Sequence, residues 1–208
     1  MDNSAIYENI MMTLLNERVI TFDDYLKIRT DYTKRNKYLD LFTMGPRVFG
    51  QNWGENHLLE IVSSLQKPSK DLDKDFVGEY DLWYQGIKIE VKASRAVDAS
   101  MSKTPLPEKA ICFGTSKRFS MNFQQLKPYC CHVFVWIAVW KDTITYWVLS
   151  SEDVNNNKYK SPQHRGNEDE WQIIVTKTKI RDFDQYVVTS DNLLNTIVEK
   201  YNSLANKN

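Results

Sequence analysis

Asp81, Glu90 and Lys92 lie in the stretch "GEYDLWYQGIKIEVKAS" (residues 78–94), where residue types and spacing indicate chemistry. Two alternating segments flank Gln85-Gly86, which predicts a β-hairpin with a tight turn. Side chains two residues apart share one face of a strand. The apolar face is therefore predicted to carry Tyr80, Leu82, Tyr84, Ile87, Ile89, Val91 and Ala93. The opposite, polar face then brings Asp81 close to Glu90 and Lys92.

Two clustered carboxylates with a lysine suit the hydrolysis of phosphodiester bonds assisted by a divalent cation. Mg²⁺ prefers oxygen ligands, keeps several waters and often takes only one or two protein carboxylates. Asp81 and Glu90 would supply those carboxylates and the backbone carbonyl of Val91 a further oxygen, with Mn²⁺ as the expected substitute for Mg²⁺. Lys92 would orient the attacking water or stabilise the charge that develops at phosphorus.

The same residues also have a purely structural interpretation. An Asp followed within about ten residues by Glu-x-Lys is common by chance. Ordinary cross-strand ion pairs on a solvent-exposed strand face would use the same side chains. The phasing of the hairpin and its apolar opposite face favour the catalytic interpretation.

Further helices and strands must position this hairpin. Residues 1–45 are predicted to be helical, with a capping box formed by Thr21 and Asp24. A short amphipathic helix is predicted in "GENHLLEIVSSL", a brief helix in "SMNFQQLKPY", stopped by Pro128, and a capped helix in "SDNLLNTIVEKYNSL". Strands are predicted in "AICFGT", "CHVFVWIAVW", "TITYWVLS" and "WQIIVTKTKI".

This order of elements predicts one mixed α/β (α+β) domain that spans residues 1–208. Residues 1–48 form a helical N-terminal extension, and residues 50–205 form the core with its polar loops. A central mixed sheet flanked by helices is expected, in which the continuous apolar segment 133–140 is central and buried. The stretch "KYKSPQHRGNEDEW" is predicted to be a polar loop.

Composition limits the class of protein without naming a partner. The chain has 208 residues, 42% of them hydrophobic, which is enough for one substantial core. Its 27 basic and 27 acidic residues balance, but an acidic metal site can offset a basic groove, so nucleic acid stays open as a partner. The longest apolar stretch is too short to span a bilayer, and the N-terminal residues lack a signal-peptide pattern. No membrane partner is therefore expected. Three cysteines without metal-ligand spacing indicate reduced thiols in a cytoplasmic protein.

The stretch "YDLWYQGIKIEVKAS" resembles the signature of the PD-(D/E)XK nuclease superfamily, in which an acidic residue precedes a strand with Glu-x-Lys. The match places Asp81 at the first acid, Glu90 at the second and Lys92 at the lysine, while Tyr80 stands where the signature has proline. It covers residues 50–140 and implies a restriction-endonuclease-like core.

Members of this superfamily also tend to carry a metal-binding Glu on the helix before the hairpin. The stretch "FGQNWGENHLLEIV" resembles that helix, which makes Glu55 the first candidate and Glu60 the second. The two residues lie five apart, on different helix faces, so one of them at most is expected to serve. A structural alternative for Glu55 is an acid that complements the helix N-terminus.

Two segments are predicted to contact DNA. Lysine and arginine neutralise phosphates, glutamine can pair with adenine, and arginine with guanine. The candidates are Lys117, Arg118 and Gln125 in "TSKRFSMNFQQLKPY", and Gln163, His164 and Arg165 in "KSPQHRGNEDEW". The structural alternatives are a solvated helix face for the first segment, and pairing of His164 and Arg165 with Glu168 or Asp169 for the second.

The resemblance implies a Mg²⁺-dependent endodeoxyribonuclease similar to type II restriction enzymes, which cuts a specific duplex site as part of a restriction–modification system. A single-domain enzyme of this kind is expected to act as a homodimer, with one site for each strand. Alternatives with the same chemistry are a repair nuclease, a junction resolvase and a toxin-type nuclease. An alternative of another class is a non-catalytic DNA-binding or assembly module that keeps the fold. The basic face of the N-terminal helices fits either a duplex or a dimer partner.

Overall fold

The computed structural model describes residues 3–163 and 169–205, with only the backbone for residues 3–5. His164 and Arg165, two of the predicted DNA contacts, lie outside the described residues. The α-helices are α1 (Asn3–Asn16), α2 (Phe22–Arg35), α3 (Gly54–Ile61), α4 (Leu106–Lys109), α5 (Ser151–Asn155) and α6 (Leu193–Ala205). A π-helical turn at Val48–Trp53 precedes α3, and 3₁₀ turns cover Leu39–Phe42, Ile180–Tyr186 and Ser190–Asn192.

The N-terminal extension is helical, as the sequence predicts. The Thr21 hydroxyl accepts a hydrogen bond from the Asp24 N–H, and the Asp24 carboxylate accepts one from the Thr21 N–H, each at 3.1 Å. This confirms the predicted capping box at the start of α2. The helix ends at Arg35 instead of continuing into the 3₁₀ turn at Leu39–Phe42. None of the helices in the described part of the chain is long and apolar enough to cross a membrane.

A mixed sheet lies at the centre of the fold, as predicted. Its strands, in spatial order, are β1 (Leu82–Tyr84), β2 (Ile87–Arg95), β5 (Val133–Val139), β6 (Ile144–Ser150) and β9 (Val187–Val188). The pair β2–β5 is parallel and the other pairs are antiparallel. The predicted hairpin and the predicted strands on either side of residues 141–142 are therefore confirmed.

A second, antiparallel sheet was not predicted. Its strands, in spatial order, are β3 (Val97–Asp98), β4 (Phe119–Leu126), β8 (Trp171–Thr176) and β7 (Lys160–Pro162). The predicted helix in "SMNFQQLKPY" is wrong, because Phe119, Met121 and Phe123 alternate with more exposed residues and point into the core as strand residues do. The predicted strand in "AICFGT" is reduced to a single bridge between Ala110 and Val97. Part of the predicted polar loop, Lys160–Pro162, pairs as β7.

Two apolar clusters cover the two faces of the mixed sheet. The first lies between this sheet and the helices, where Leu58 of α3 and Ile197 of α6 pack on Ile89 and Val135. The second lies between the two sheets, where Phe123 stacks on Trp136 with ring centroids 4.3 Å apart. Helices therefore flank the mixed sheet as expected, while the second sheet covers much of its other face. Strand β2 has cover on both faces, which matters for its polar side chains.

Candidate functional site

The hairpin turn has the geometry that its sequence predicts. Gln85 and Gly86 both have positive φ, at 45° and 88°. Two consecutive left-handed residues are typical of the two-residue turns that match strand twist. Tyr84 pairs with Ile87 and Leu82 with Ile89, which sets the register for the residues that follow.

Asp81 immediately precedes the first residue of β1, Leu82. Its N–H donates to the Ile89 carbonyl at 3.1 Å, although Leu82 is the residue paired with Ile89. The first strand thus carries an extra residue here, in the manner of a β-bulge. The Asp81 carboxylate accepts a hydrogen bond from the Val91 N–H at 2.8 Å, in the position where a continuing strand would have offered a backbone carbonyl.

The Val91 carbonyl faces the same edge as the Val91 N–H, because the N–H and C=O of one strand residue point to the same side. Strand β1 has already ended at this level, so the carbonyl lies beside the Asp81 carboxylate and outside the β1 ladder. The Val91 carbonyl as a metal ligand stays a prediction.

Tyr80 departs from the predicted alternation. It is buried in the cluster between the sheets, near Phe76, whereas Leu82 belongs to the cluster under the helices. The extra residue at Asp81 explains the change, since a bulge shifts the phase of all side chains before it. The Tyr80 hydroxyl donates to the Asp73 carboxylate at 2.9 Å.

Glu90 and Lys92 form a buried ion pair on the face of β2 that looks toward the second sheet. The Lys92 Nζ lies 2.6 Å from Glu90 Oε1, and the two side chains are 18% and 9% exposed. Their partners across β5 are Phe134 and Trp136, both fully buried. The interpretation as a solvent-exposed ion-pair face does not fit this burial.

The electrostatics of the pair follow from burial and close charges. Burial raises the pKa of Glu90 to about 7, the nearby Asp81 carboxylate adds to this rise, and the Lys92 ammonium opposes it. Burial by itself would lower the pKa of Lys92, but the Glu90 and Asp81 carboxylates raise it above its usual range. Lys92 is therefore a charged ammonium at neutral pH, next to a carboxyl group whose pKa lies near neutrality.

Glu55, in the first turn of α3, is the acid that approaches this group. Burial raises the pKa of Glu55, and the charges of Asp81 and Lys92 both act on it. Its carboxylate pairs with the ammonium of Lys67. Glu60 is exposed on another side of the helix, where its charge acts on His57. Glu55, and not Glu60, is thus the helix acid on the side of Asp81 and Lys92.

Gly54 allows α3 to approach β2 closely. A Cβ atom at Gly54 would lie 3.3 Å from the Ala93 Cβ and 3.8 Å from Val91 Cγ1. The helix backbone therefore rests almost directly on the strand that carries Glu90 and Lys92, and this contact sets the position of the neighbouring Glu55.

We expect Gly54→Val to lower the free energy of unfolding by about 1–3 kcal/mol, because overpacking pushes α3 away from β2. Gly54→Ala should be close to neutral, since better helix propensity, about 1 kcal/mol, offsets its tight contact. Urea unfolding measures both effects. Gly50→Val is the matched control, because nothing lies within 4 Å of a Cβ at Gly50. Equal losses for Gly50→Val and Gly54→Val would contradict the close-packing explanation.

The oxygen donors fit a hard divalent cation that uses one or two carboxylates. Asp81, Glu90 and the Val91 carbonyl all offer oxygen, as Mg²⁺ requires. Within residues 3–163 and 169–205, no group of three or more His, Cys, Asp or Glu side chains is already arranged to hold a metal ion. Glu90 is directed to Lys92, and Glu55 to Lys67. Glu55 would thus have to leave Lys67 before it could join the other two acids.

The predicted DNA contacts fall into separate places. Lys117 lies before β4 and pairs with the buried Asp98 at 3.1 Å, and Arg118 beside it is exposed. At the other end of β4, the Gln125 N–H donates to Gln163 Oε1 at 2.5 Å. Gln125 has a φ of 54°, at an irregularity of β4, which explains why its backbone N–H leaves the ladder.

The end of β4 that carries Gln125 is also the end nearer the acids. Ser120 of β4 pairs with Val97, and Ser94 of β2 donates to the Asn122 carbonyl, so β4 runs antiparallel to β2 and its later residues lie toward Lys92 and Glu90. Gln125 and Gln163 therefore lie on the side of the candidate site, whereas Lys117 and Arg118 lie at the far end of the strand.

Sequence reasoning missed Lys67, which belongs to the polar segment "QKPSKDLDKD". The Gln66 N–H donates to the Trp83 carbonyl at 3.0 Å and the Trp83 N–H to the Gln66 carbonyl at 2.8 Å, so the segment runs antiparallel beside β1. A single long-range bridge leaves no local pattern of apolar residues. Only the two flanking apolar residues, Leu65 and Leu82, buried in the same cluster, hint at the pairing.

Comparison with protein-family models, with curated proteins and with solved structures finds no match to this chain. The interpretation of the site therefore depends on the geometry of Asp81, Glu90, Lys92 and Glu55 at the end of β1.

Proposed function

We propose that the chain is a Mg²⁺-dependent endodeoxyribonuclease with a restriction-endonuclease-like core, and that it acts as a type II restriction enzyme on a specific duplex site. One observation carries the proposal. The Glu90–Lys92 ion pair lies beside Asp81, just before β1, where the Asp81 carboxylate and not a β1 backbone carbonyl accepts from the edge of β2. Of these three residues Glu90 is buried, while Asp81 and Lys92 are partly buried. Withdrawing charged groups from water in this way is unfavourable, and such clusters are typical of functional sites.

Asp81, Glu90 and the Val91 carbonyl would hold the cation, with Glu55 as an additional ligand. When bound, Mg²⁺ supplies Lewis-acid stabilisation of the negative charge on the phosphate and its attacking water. The raised pKa of Glu90, about 7, fits a carboxyl group whose ionisation is completed when a positive charge arrives.

The residues of the chain would position water and stabilise charge. The reaction consumes one water for each bond cut. The water oxygen joins phosphorus, one bond from phosphorus to a sugar oxygen breaks, and that oxygen takes up a proton. Glu90 positions the Lys92 ammonium, 2.6 Å away. The Lys92 ammonium can then donate a hydrogen bond to the attacking water or to a phosphoryl oxygen. Among the predicted DNA contacts within the described residues, Gln125 and Gln163 lie at the end of β4 nearer the acids, and Lys117 and Arg118 at the far end.

Cutting both strands of a duplex requires two sites, which supports a homodimer as the active form. The exposed apolar residues of the N-terminal extension, among them Ile10 and Phe22, support a protein surface there in preference to a duplex. Light scattering of the purified chain, alone and with DNA, tests this part of the proposal.

The central experiment incubates the purified chain with phage DNA in Mg²⁺ or in EDTA. Discrete fragments that depend on Mg²⁺ are the expected result. A smear that depends on Mg²⁺ would keep the hydrolytic chemistry and replace site-specific restriction by a repair, resolvase or toxin-type nuclease. Intact DNA under every metal condition, with retained DNA binding, would contradict the proposal in favour of a non-catalytic binding module.

A further inference from the structure

Lys67 lies at the edge of the candidate site. Its ammonium pairs with Glu55, and its side chain is 49% exposed whereas that of Glu55 is 15% exposed. The backbone bridge between Gln66 and Trp83 fixes the segment beside β1. In antiparallel register this places Lys67 opposite Leu82, next to Asp81.

The two lysines of the site differ in their freedom to move. Lys92 is enclosed between the sheets, 18% exposed, so its ammonium has to stay with Glu90. Lys67 has a long flexible side chain with about half of its surface in solvent, and such an ion pair is held weakly. Of the two cations that neutralise these acids, Lys67 is the one that can leave.

A divalent cation would compete with Lys67 for Glu55. The Asp81 carboxylate raises the pKa of both Glu55 and Glu90, and the Lys92 ammonium lowers the pKa of both. The three carboxylates therefore belong to one electrostatic environment. A cation that enters this environment favours carboxylate contacts and repels the nearby ammonium. An ammonium released beside Asp81 is then available for the phosphate of a bound strand, to which Lys presents a point charge.

We propose that Lys67 is an exchangeable counter-ion, which holds Glu55 while no divalent cation is bound, gives Glu55 up to the cation, and then contacts a DNA phosphate. The inference rests on the proposed function and adds a regulation to it. Binding of the cation and binding of DNA are coupled positively, because each favours the position of Lys67 away from Glu55. The protein should therefore bind DNA tightly only when the divalent cation is bound.

The first test measures Mn²⁺ affinity by electron paramagnetic resonance of the free ion, without DNA. Lys67→Met removes the competing ammonium, so we expect Mn²⁺ to bind about three- to tenfold more tightly than to the wild-type chain. Lys70→Met, an exposed lysine of the same segment, is the matched control and should leave the affinity unchanged. Asp81→Asn should weaken Mn²⁺ binding strongly.

The second test measures binding of a short duplex by fluorescence anisotropy. With Ca²⁺, a hard cation that takes oxygen ligands, Lys67→Met should bind the duplex more weakly, and the slope of log K against log salt should fall by about 1. In EDTA, Glu55→Gln frees Lys67, so DNA should bind about threefold or more tightly than to the wild-type chain. The double variant Glu55→Gln/Lys67→Met should lose that gain.

Lys67→Met is expected to bind Mn²⁺ more tightly and DNA more weakly than the wild-type chain. Both changes together distinguish the exchange from a purely structural role of Lys67, because loss of a structural lysine would not tighten Mn²⁺ binding. Unchanged or weaker Mn²⁺ binding by Lys67→Met, or no gain in DNA binding by Glu55→Gln, would overturn the inference. If the wild-type chain binds Mn²⁺ through Asp81 and Lys67→Met has no effect, only the inference fails. If the wild-type chain binds no Mn²⁺, the proposed metal site fails and the inference falls with it.

Discussion

Asp81→Asn should lower the rate of Mg²⁺-dependent DNA cleavage about a thousandfold or more, because it removes a carboxylate charge from the place where the cation and the phosphate meet. The substitution is nearly isosteric. The remaining side-chain oxygen can still accept the hydrogen bond from the Val91 N–H, which is 2.8 Å long in the wild-type chain. The end of β1 should thus keep its shape, and the midpoint of thermal unfolding should change little.

Single-turnover cleavage of phage DNA measures the rate, and thermal unfolding checks the fold. Glu79→Gln is the matched control, since Glu79 lies on the same hairpin, 3.8 Å from Lys88, and away from the cluster of Asp81 and Glu90. The control should cut at nearly the wild-type rate. Cleavage by Asp81→Asn at the wild-type rate would mean that the nuclease chemistry, if present, lies elsewhere in the chain.

The parts of the fold that the sequence predicts well are those set by local patterns. The hairpin follows from strict alternation around Gln85-Gly86, and the start of α2 from the reciprocal bonds of Thr21 and Asp24. The apolar run that became β5 is buried from Val133 to Val139, as a central strand must be. In each case neighbours in the chain determine the structure.

The parts that the sequence did not predict depend on distant contacts. The segment of β4 reads in the sequence as a brief helix stopped by Pro128, whereas its pairing with β8, a distant part of the chain, makes it a strand. The same holds within the site. Lys67 meets Glu55 only because Gln66 pairs with Trp83, and Tyr80 changes cluster because one extra residue precedes β1. Residue types and spacing thus indicate Asp81, Glu90 and Lys92, and the family resemblance adds Glu55, but neither indicates the lysine that pairs with Glu55.

Lys92→Met should lower the cleavage rate about a hundred- to a thousandfold, while the affinity for duplex DNA in Ca²⁺ changes far less. The reason is the position of the ammonium. It is enclosed beside Glu90 and 18% exposed, so it can stabilise charge that appears during the reaction but cannot reach far for a ground-state phosphate contact. Cleavage rates with enzyme in excess and anisotropy in Ca²⁺ separate the two effects. Equal losses of rate and affinity would indicate a phosphate clamp instead.

The same substitution should also destabilise the fold in a manner that depends on pH. The pKa of Glu90 is about 7 with Lys92 present, and the Lys92 ammonium lowers it, so the pKa of Glu90 rises further in Lys92→Met. A buried acid whose pKa is raised by folding destabilises the fold little while it is protonated. The free energy of unfolding falls as the pH rises above the pKa that the acid has in the unfolded chain. We therefore expect a loss of about 3 kcal/mol near pH 8 or above and a much smaller loss near pH 5.

Urea unfolding of Lys92→Met across this pH range measures the loss, and adding Glu90→Gln supplies the control. The double variant Glu90→Gln/Lys92→Met has no acid at this position to ionise, so it should regain most of the stability lost at high pH without regaining cleavage. A loss of stability that is the same at all pH values would show that Lys92 acts by packing alone. The unfolding curves also give the folded fraction of Lys92→Met at the pH of the cleavage assay, so a loss of rate in the folded protein, relative to the wild-type chain at the same pH, can be assigned to the missing ammonium and not to unfolding.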